Sequence, residues 1–160
     1  MVKKMMNEAL NLALQAAAED EVPVGAVVVY EGKIIGRGYN RRERDHNPIS
    51  HAEIEAIIQA TRALGSWRLS DCQLVVTLEP CPMCLAACQQ ARVDEVVYGA
   101  VDPKGGALSL GYRLHEDSRM NHRFLVRLEE NSECGKVLKD FFARKRGNLG
   151  SGSSPAPSSQ

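Results

Sequence analysis

Apolar residues near the amino terminus recur every three or four places: Met5, Met6, Ala9, Leu10, Ala13, Leu14 and Ala17, with polar residues between them. That spacing predicts an amphipathic helix. Two runs rich in β-branched residues follow, 24–30 and 33–39, and Glu31-Gly32 between them predicts a hairpin turn. Gly36 and Gly38 form a bare GxG, read as strand or bulge residues and not as a nucleotide loop. Residues 41–47 are a polar loop that ends at Pro48. Helical spacing resumes over 52–64 and stops at Gly65-Ser66. Residues 73–78 read as a third strand, 82–91 as a third helix and 95–100 as a fourth strand. Residues 101–119, with Gly105-Gly106, read as a long irregular segment with room for a short helix. Long ordered loops in compact domains are often functional. Residues 123–128 read as a fifth strand, and 133–146 as a closing helix carrying Phe141 and Phe142. This order predicts an α/β domain over 1–146, a three-layer α-β-α sandwich around a five-stranded mixed sheet. Residues 147–160 carry no charge and are rich in Ser, Gly and Pro, which predicts a flexible tail.

Composition narrows the setting. At 160 residues and 44% hydrophobic content the chain has ample material for one core. Five cysteines with no export signal do not suggest a disulfide framework, because Asn7 and Glu8 fall where a signal peptide is apolar. No apolar run reaches membrane-spanning length, so a reducing cytoplasm is the expected compartment. Twenty basic residues balance twenty acidic ones, which argues against a strongly nucleic-acid-binding chain. The distribution is uneven: 101–160 holds ten basic against seven acidic residues. Basic clusters stand at Arg41, Arg42 and Arg44, at Arg119, His122 and Arg123, and at Arg144, Lys145 and Arg146. Each has an ordinary reading as solvated surface, and a patch of this size suffices for phosphates only where it borders a site.

The candidate chemistry lies in His51-Ala52-Glu53 and Pro80-Cys81-Pro82-Met83-Cys84. His-x-Glu followed by Pro-Cys-x-x-Cys is the signature of zinc-dependent nucleobase deaminases. His51, Cys81 and Cys84 supply three zinc ligands and leave a coordination position for water. Two thiolates and a neutral imidazole bring the site to a formal charge near zero, so the metal acidifies water less than an all-histidine site would. A partner base is then useful. Glu53 fits that role, and general acid–base catalysis of this kind contributes roughly 10²–10⁴-fold. Cys81 and Cys84, three apart, share one face of a helix's first turn, where the dipole and unpaired N–H groups favour thiolates. Pro82 suits the first helical position. His51 and Glu53 are two apart, roughly 200° around a regular helix. His51 is therefore expected at the cap or first helical position. A lone CxxC also fits a redox pair or half a structural zinc knuckle. The knuckle would need a fourth ligand from Cys72, Cys88, His46 or Cys134. Cys88, four residues after Cys84 on an apolar face, reads as core.

The chain closely resembles the bacterial tRNA-specific adenosine deaminases of the cytidine deaminase-like superfamily. The resemblance runs from about Glu21 to Arg146. It is carried by EVPVGAV at 21–27, GYN at 38–40, HAEI at 51–54, TLEPCPMC at 77–84, VVYGAVDPKGGA at 96–107, MNH at 120–122 and FFARKR at 141–146. Ser109-Leu110 departs from the Gly-Ser pair usual in that family, and Leu78 fills a position aromatic in some relatives. The resemblance implies hydrolytic conversion of a wobble adenosine to inosine in a tRNA anticodon, commonly of an arginine tRNA. It also implies one zinc ion per subunit, held by His51, Cys81 and Cys84, with Glu53 shuttling protons. A homodimer whose second subunit helps hold the anticodon loop belongs to the same expectation. Asn40 would hydrogen-bond the extruded base, Val22 and Leu78 would line its pocket, and Asp102 and Lys104 would lie along the loop backbone. The basic end of the last helix would lie near the RNA. Plainer readings stand beside these: Asn40 as a residue closing a strand, Asp102-Pro103 as a turn, His122 as a satisfied buried histidine. Two other functions compete. A free-base or nucleoside deaminase, acting on guanine or cytosine, uses the same zinc and glutamate. A catalytically silent RNA-binding subunit is the other, though such proteins tend to lose the glutamate that Glu53 supplies.

Overall fold

The computed structural model describes residues 1–148. Helix α1 spans Val2–Ala18, followed by strands β1 (Gly25–Tyr30) and β2 (Lys33–Tyr39) and helix α2 (Ala52–Leu64). Then come β3 (Cys72–Val76), α3 (Pro82–Ala91), β4 (Glu95–Tyr98), a 3-10 turn at Leu114–Glu116, β5 (Leu125–Leu128) and α4 (Ser132–Asn148). The sheet order is β2-β1-β3-β4-β5. β1 is antiparallel to both β2 and β3, while β4 is parallel to β3 and β5. It is the five-stranded mixed sheet expected.

The alternation of side chains along each strand builds the three layers. Ala26, Val28, Leu74, Val76, Val96 and Tyr98 face Ala52, Ala56 and Ala60 of α2 and Leu85, Cys88 and Ala91 of α3. Their neighbours Val27, Val29, Val75 and Val97 point the other way, onto Met5 and Met6 of α1 and Cys134 of α4. Strands buried on both faces read as continuous apolar runs, which is why GAVVVY and CQLVV show no polar alternation. Helix α3 is the crossover between parallel β3 and β4.

Gly36 and Gly38 are strand residues, and the register slips beside them between Val28 and Val29. Their lack of a side chain lets α2 lie against the sheet. A Cβ on Gly36 would sit 2.2 Å from the Ala56 carbonyl oxygen, and one on Gly38 2.2 Å from that of Ala52. Because the obstruction is backbone, no rotamer relieves it. Gly38→Ala is expected to lower stability by about 1–3 kcal/mol, read as a lower denaturant midpoint at unchanged slope.

The bounds of α2, α3 and β2 coincide with the sequence pattern; other ends shift. β3 begins at Cys72 and stops at Val76, two residues short of the expected Leu78. Thr77 still donates its N–H to the Gly25 carbonyl at 3.0 Å, but the Gly25 N–H turns to Thr77 Oγ1 at 3.2 Å, and the regular ladder ends there. β4 ends at Tyr98, where expectation placed Ala100, and β5 begins at Leu125. Helix α4 starts at Ser132 and continues through Gly147 and Asn148, so these two residues are helical and not the start of a tail. The rest of the expected tail lies outside the described residues. Among the described residues, no helix is long and apolar enough to cross a membrane.

Candidate active site

The two sequence motifs meet at the amino ends of α2 and α3. His51 caps α2 with φ −77° and ψ 156°. Cys81 caps α3 with φ −72° and ψ 169°, and Pro82 takes the first helical place. Both caps are extended backbone, as N-cap residues are. The extended cap swings His51 away from the 100° step of a helix, so His51 and Glu53 need not point to opposite sides. His51 Nδ1 lies 3.6 Å from Cys81 Sγ and 3.4 Å from Cys84 Sγ. All three candidate ligand atoms lie within 4.8 Å of one another. A tetrahedral zinc centre with ordinary bond lengths places N and S ligands roughly 3.5 Å apart, so these residues fit the ion. No other His, Cys, Asp or Glu among the described residues joins the group. Cys72, Cys88 and Cys134 are buried elsewhere in the core.

Electrostatics sharpens the roles of the sulfurs. The Cys84 thiol donates to Cys81 Sγ, and with the His51 ring beside it holds Cys81 down to about 4. The same contact raises Cys84 well above the ordinary value, with burial and the Glu53 carboxylate adding to it. Glu53 is fully buried in the first turn of α2 and acts on both Cys84 and Cys88, so it lies close to the sulfurs without joining the ligand group. Cys88 is raised chiefly by burial and packs in the core, as its helical spacing suggested.

Burial also pushes Cys72 and Cys134 up to about 11 from an ordinary 9.0. Thiolate is the reactive form, so alkylation of either in the native protein at pH ~8 should be on the order of 100-fold slower than that of a free thiol. Mass-spectrometric mapping of iodoacetamide adducts reads this directly, and rapid labelling of Cys134 would contradict its burial. Because these values are raised on folding, their contribution to stability is complete below pH 9 and lost as pH rises through 11.

The residues expected to meet a substrate divide into two groups. Asn40 is buried; its Nδ2 donates to the Val22 carbonyl at 3.3 Å and its Oδ1 accepts the Arg42 N–H at 3.2 Å. Val22 and Leu78 belong to the same apolar cluster as α2 and α3. Asp102 is buried, and its Oδ1 accepts the N–H groups of Lys104 and Gly105 at 3.3 and 3.2 Å. Lys104 is exposed. His122 is half-buried, with Nε2 2.7 Å from the Val93 carbonyl and its ring stacked on Phe124, a satisfied structural histidine. Arg144 and Lys145 reach the end of α1, to the Ala17 carbonyl and the Asp20 carboxylate.

Two buried carboxylates escaped the sequence reading. Glu21 accepts the N–H groups of Glu43 and Arg44 at 3.1 and 2.7 Å, and so folds the basic 41–45 loop. Glu79, two residues before Cys81, accepts from Asp102 and Ser109. Glu79 interrupts an apolar run before Pro80, whereas Glu21 closes the acidic stretch Glu19-Asp20-Glu21 and carries no such signal.

Residues 2–146 match the MafB19-like deaminase family. Over 144 residues the chain is 47% identical to the tRNA-specific adenosine deaminase of Bacillus subtilis, a match covering 88% of each protein. The chain belongs to the tRNA-specific adenosine deaminase family. It is an enzyme of hydrolytic deamination with the cytidine deaminase-like fold. A solved structure from studies of A-to-I editing by tRNA:A34 deaminases superposes with a TM-score of 0.79 at 42% identity, covering 85% of this chain and 99% of that one. The guanine deaminase of Bacillus subtilis is more distant. It shows 32% identity and a TM-score of 0.62, over 90% of this chain and 93% of its own. The family's zinc dependence agrees with the His51, Cys81 and Cys84 group.

Proposed function

We propose that this chain hydrolyses the 6-amino group of the wobble adenosine in a tRNA anticodon, releasing ammonia and leaving inosine. The observation that carries the reading is the three-ligand cluster with a buried, non-ligating Glu53 beside it, in a chain that shares far more sequence with a tRNA-specific adenosine deaminase than with a guanine deaminase. His51, Cys81 and Cys84 would hold one zinc ion per chain. When bound, that ion supplies Lewis acidity that makes water a competent nucleophile near neutral pH.

The chain's own residues do the rest. Glu53 sits where bulk water does not reach. It takes one proton from the attacking water and gives it to the purine ring nitrogen, then carries the second, from the hydroxyl left on the carbon, to the amine that departs as ammonia. Asn40 is held in place by the Val22 carbonyl and the Arg42 N–H. It keeps a second N–H and a second lone pair for the edge of the extruded base. Val22 and Leu78, both in the apolar cluster of α2 and α3, would form the wall on which the base lies. Asp102 and Lys104 meet the backbone of the anticodon loop. A single-stranded loop costs less to splay than a duplex, which favours it as the source of a flipped nucleotide. A homodimer with the second copy supporting the loop, an arginine tRNA as substrate and a cytoplasmic setting complete the reading.

Offering the zinc-loaded enzyme an anticodon stem-loop beside free guanine, cytosine and adenosine separates the candidates. Inosine at the wobble position with no turnover of the free bases is the expected result. Turnover of guanine or cytosine with an untouched stem-loop would replace this substrate with a free base.

A further inference from the structure

Glu79 sits next to the metal-ligand turn yet serves neither the ion nor the proton shuttle. It is almost wholly buried. Its Oε1 accepts the Asp102 N–H at 3.0 Å and the Ser109 hydroxyl at 2.7 Å, and its Oε2 accepts the Ser109 N–H at 2.8 Å. Gly106 is wrapped so closely around this carboxylate that a Cβ there would stand 2.1 Å from it. The backbone on both sides is tied in as well: the Glu79 N–H donates to the Ala100 carbonyl at 2.8 Å, and the Ala107 N–H to the Pro80 carbonyl at 2.8 Å. Residues 102–109 are therefore folded around one carboxylate, while Cys81 is held separately as the cap of α3, where its carbonyl accepts the Leu85 N–H at 2.9 Å.

A carboxylate removed from water is costly unless its lone pairs are taken up by donors, and here three donors converge on it. Glutamine would not serve equally. Its Oε1 still accepts from Asp102, but its Nε2 turns a donor towards the Ser109 N–H, and two donors then face each other. The departure from the family at Ser109-Leu110 thus has a structural consequence: Ser109 closes the loop with both its amide and its hydroxyl. Within the loop so held, Asp102 is 4% exposed and its Oδ2 has no hydrogen-bond partner among the described residues.

We propose that Glu79 is a positioning residue for RNA: its carboxylate holds residues 102–109 in the shape that presents Asp102 and Lys104 to the anticodon loop. This rests on the proposed reading that a tRNA anticodon is the substrate. The expected consequence is a split between binding and chemistry. The ligand cluster and Glu53 stay in place when the loop loosens, so KM moves and kcat follows little.

The test uses the full-length, zinc-loaded chain, its Glu79→Gln and Ser109→Ala variants, and an anticodon stem-loop. Hydrogen bonds to a charged group carry enough energy that Glu79→Gln should raise KM by ~10-fold or more, with a smaller change in kcat. Zinc content should equal that of the wild type, and amide exchange at Asp102 and Ser109 should accelerate. Ser109→Ala removes one donor and should raise KM by ~3-fold or more in the same direction. That variant carries the test alone if Glu79→Gln does not fold. Faster loop exchange with an unchanged KM overturns the proposal, as does a fall in kcat with KM unchanged, or loss of zinc. A wild-type chain that ignores the stem-loop overturns the substrate reading and this inference together. A wild type that turns it over, beside variants with unaltered KM, overturns only the role of Glu79.

Discussion

Glu53→Gln is expected to remove nearly all turnover while zinc content and RNA affinity remain. The side chain is fully buried and stands outside the ligand group, so the change deletes a proton carrier and not a ligand. Glutamine keeps the volume, which avoids the cavity that alanine would leave. Its effect on the metal should, if anything, favour binding. The contact with Cys81 and burial raise the Cys84 thiol and burial raises that of Cys88, with the Glu53 carboxylate adding to both, so a neutral side chain there removes one obstacle to deprotonating the Cys84 ligand. Loss of a general acid–base group lowers kcat by roughly 10²–10⁴-fold. Inosine formation on an anticodon stem-loop, measured beside zinc by mass spectrometry, gives both readings from one preparation. A variant still working near the wild-type rate would place the base elsewhere.

Cys84→Ser takes away a ligand and should remove both zinc and activity. The serine hydroxyl does not ionise near neutral pH, and ligand atoms must be deprotonated to hold the ion. The loss of affinity should exceed the 10–100-fold typical of removing a hydrogen bond that merely supports a ligand. Cys88 provides the control, one helical turn further along α3 and raised by burial. Cys88→Ala should keep a full zinc complement and lose only stability through the cavity it leaves. Equal zinc loss in both variants would mean that the ion is not held by the His51, Cys81 and Cys84 group.

Much of this arrangement was legible in the sequence, because short-range signals carry it. The 3.6-residue spacing of α1 and α2, and the position of Pro82, are properties of a few neighbouring residues. The cap expectation for His51 came from the angular conflict between a helix and the His-x-Glu spacing, and the extended backbone at His51 shows how the chain resolves it. Strand ends were less legible. Hydrophobicity reports burial and not ladder pairing, so Thr77 and Leu78 read as strand although the regular ladder ends at Val76 while they stay buried. The end of α4 shifted for the opposite reason: Gly147 marks a helix stop in sequence, yet a Cβ there would meet nothing within 4 Å among the described residues and the helix continues through Asn148.

The partners of the two buried carboxylates were illegible for a different cause. Glu21 is satisfied by amides more than twenty residues away, and Glu79 by groups up to thirty residues away. No local pattern reports such partners. His122 illustrates the same limit. Its charge type suggested RNA, and only the fold brings it to the Val93 carbonyl.

Zinc K-edge X-ray absorption on the loaded protein tests the central claim most directly. The account predicts two sulfurs at about 2.3 Å and one imidazole nitrogen at about 2.0–2.1 Å, with the remaining scatterer a light atom that exchanges with solvent or a substrate analogue. A shell of three or four sulfurs, or a second imidazole, would close the site with protein groups and contradict a hydrolytic centre.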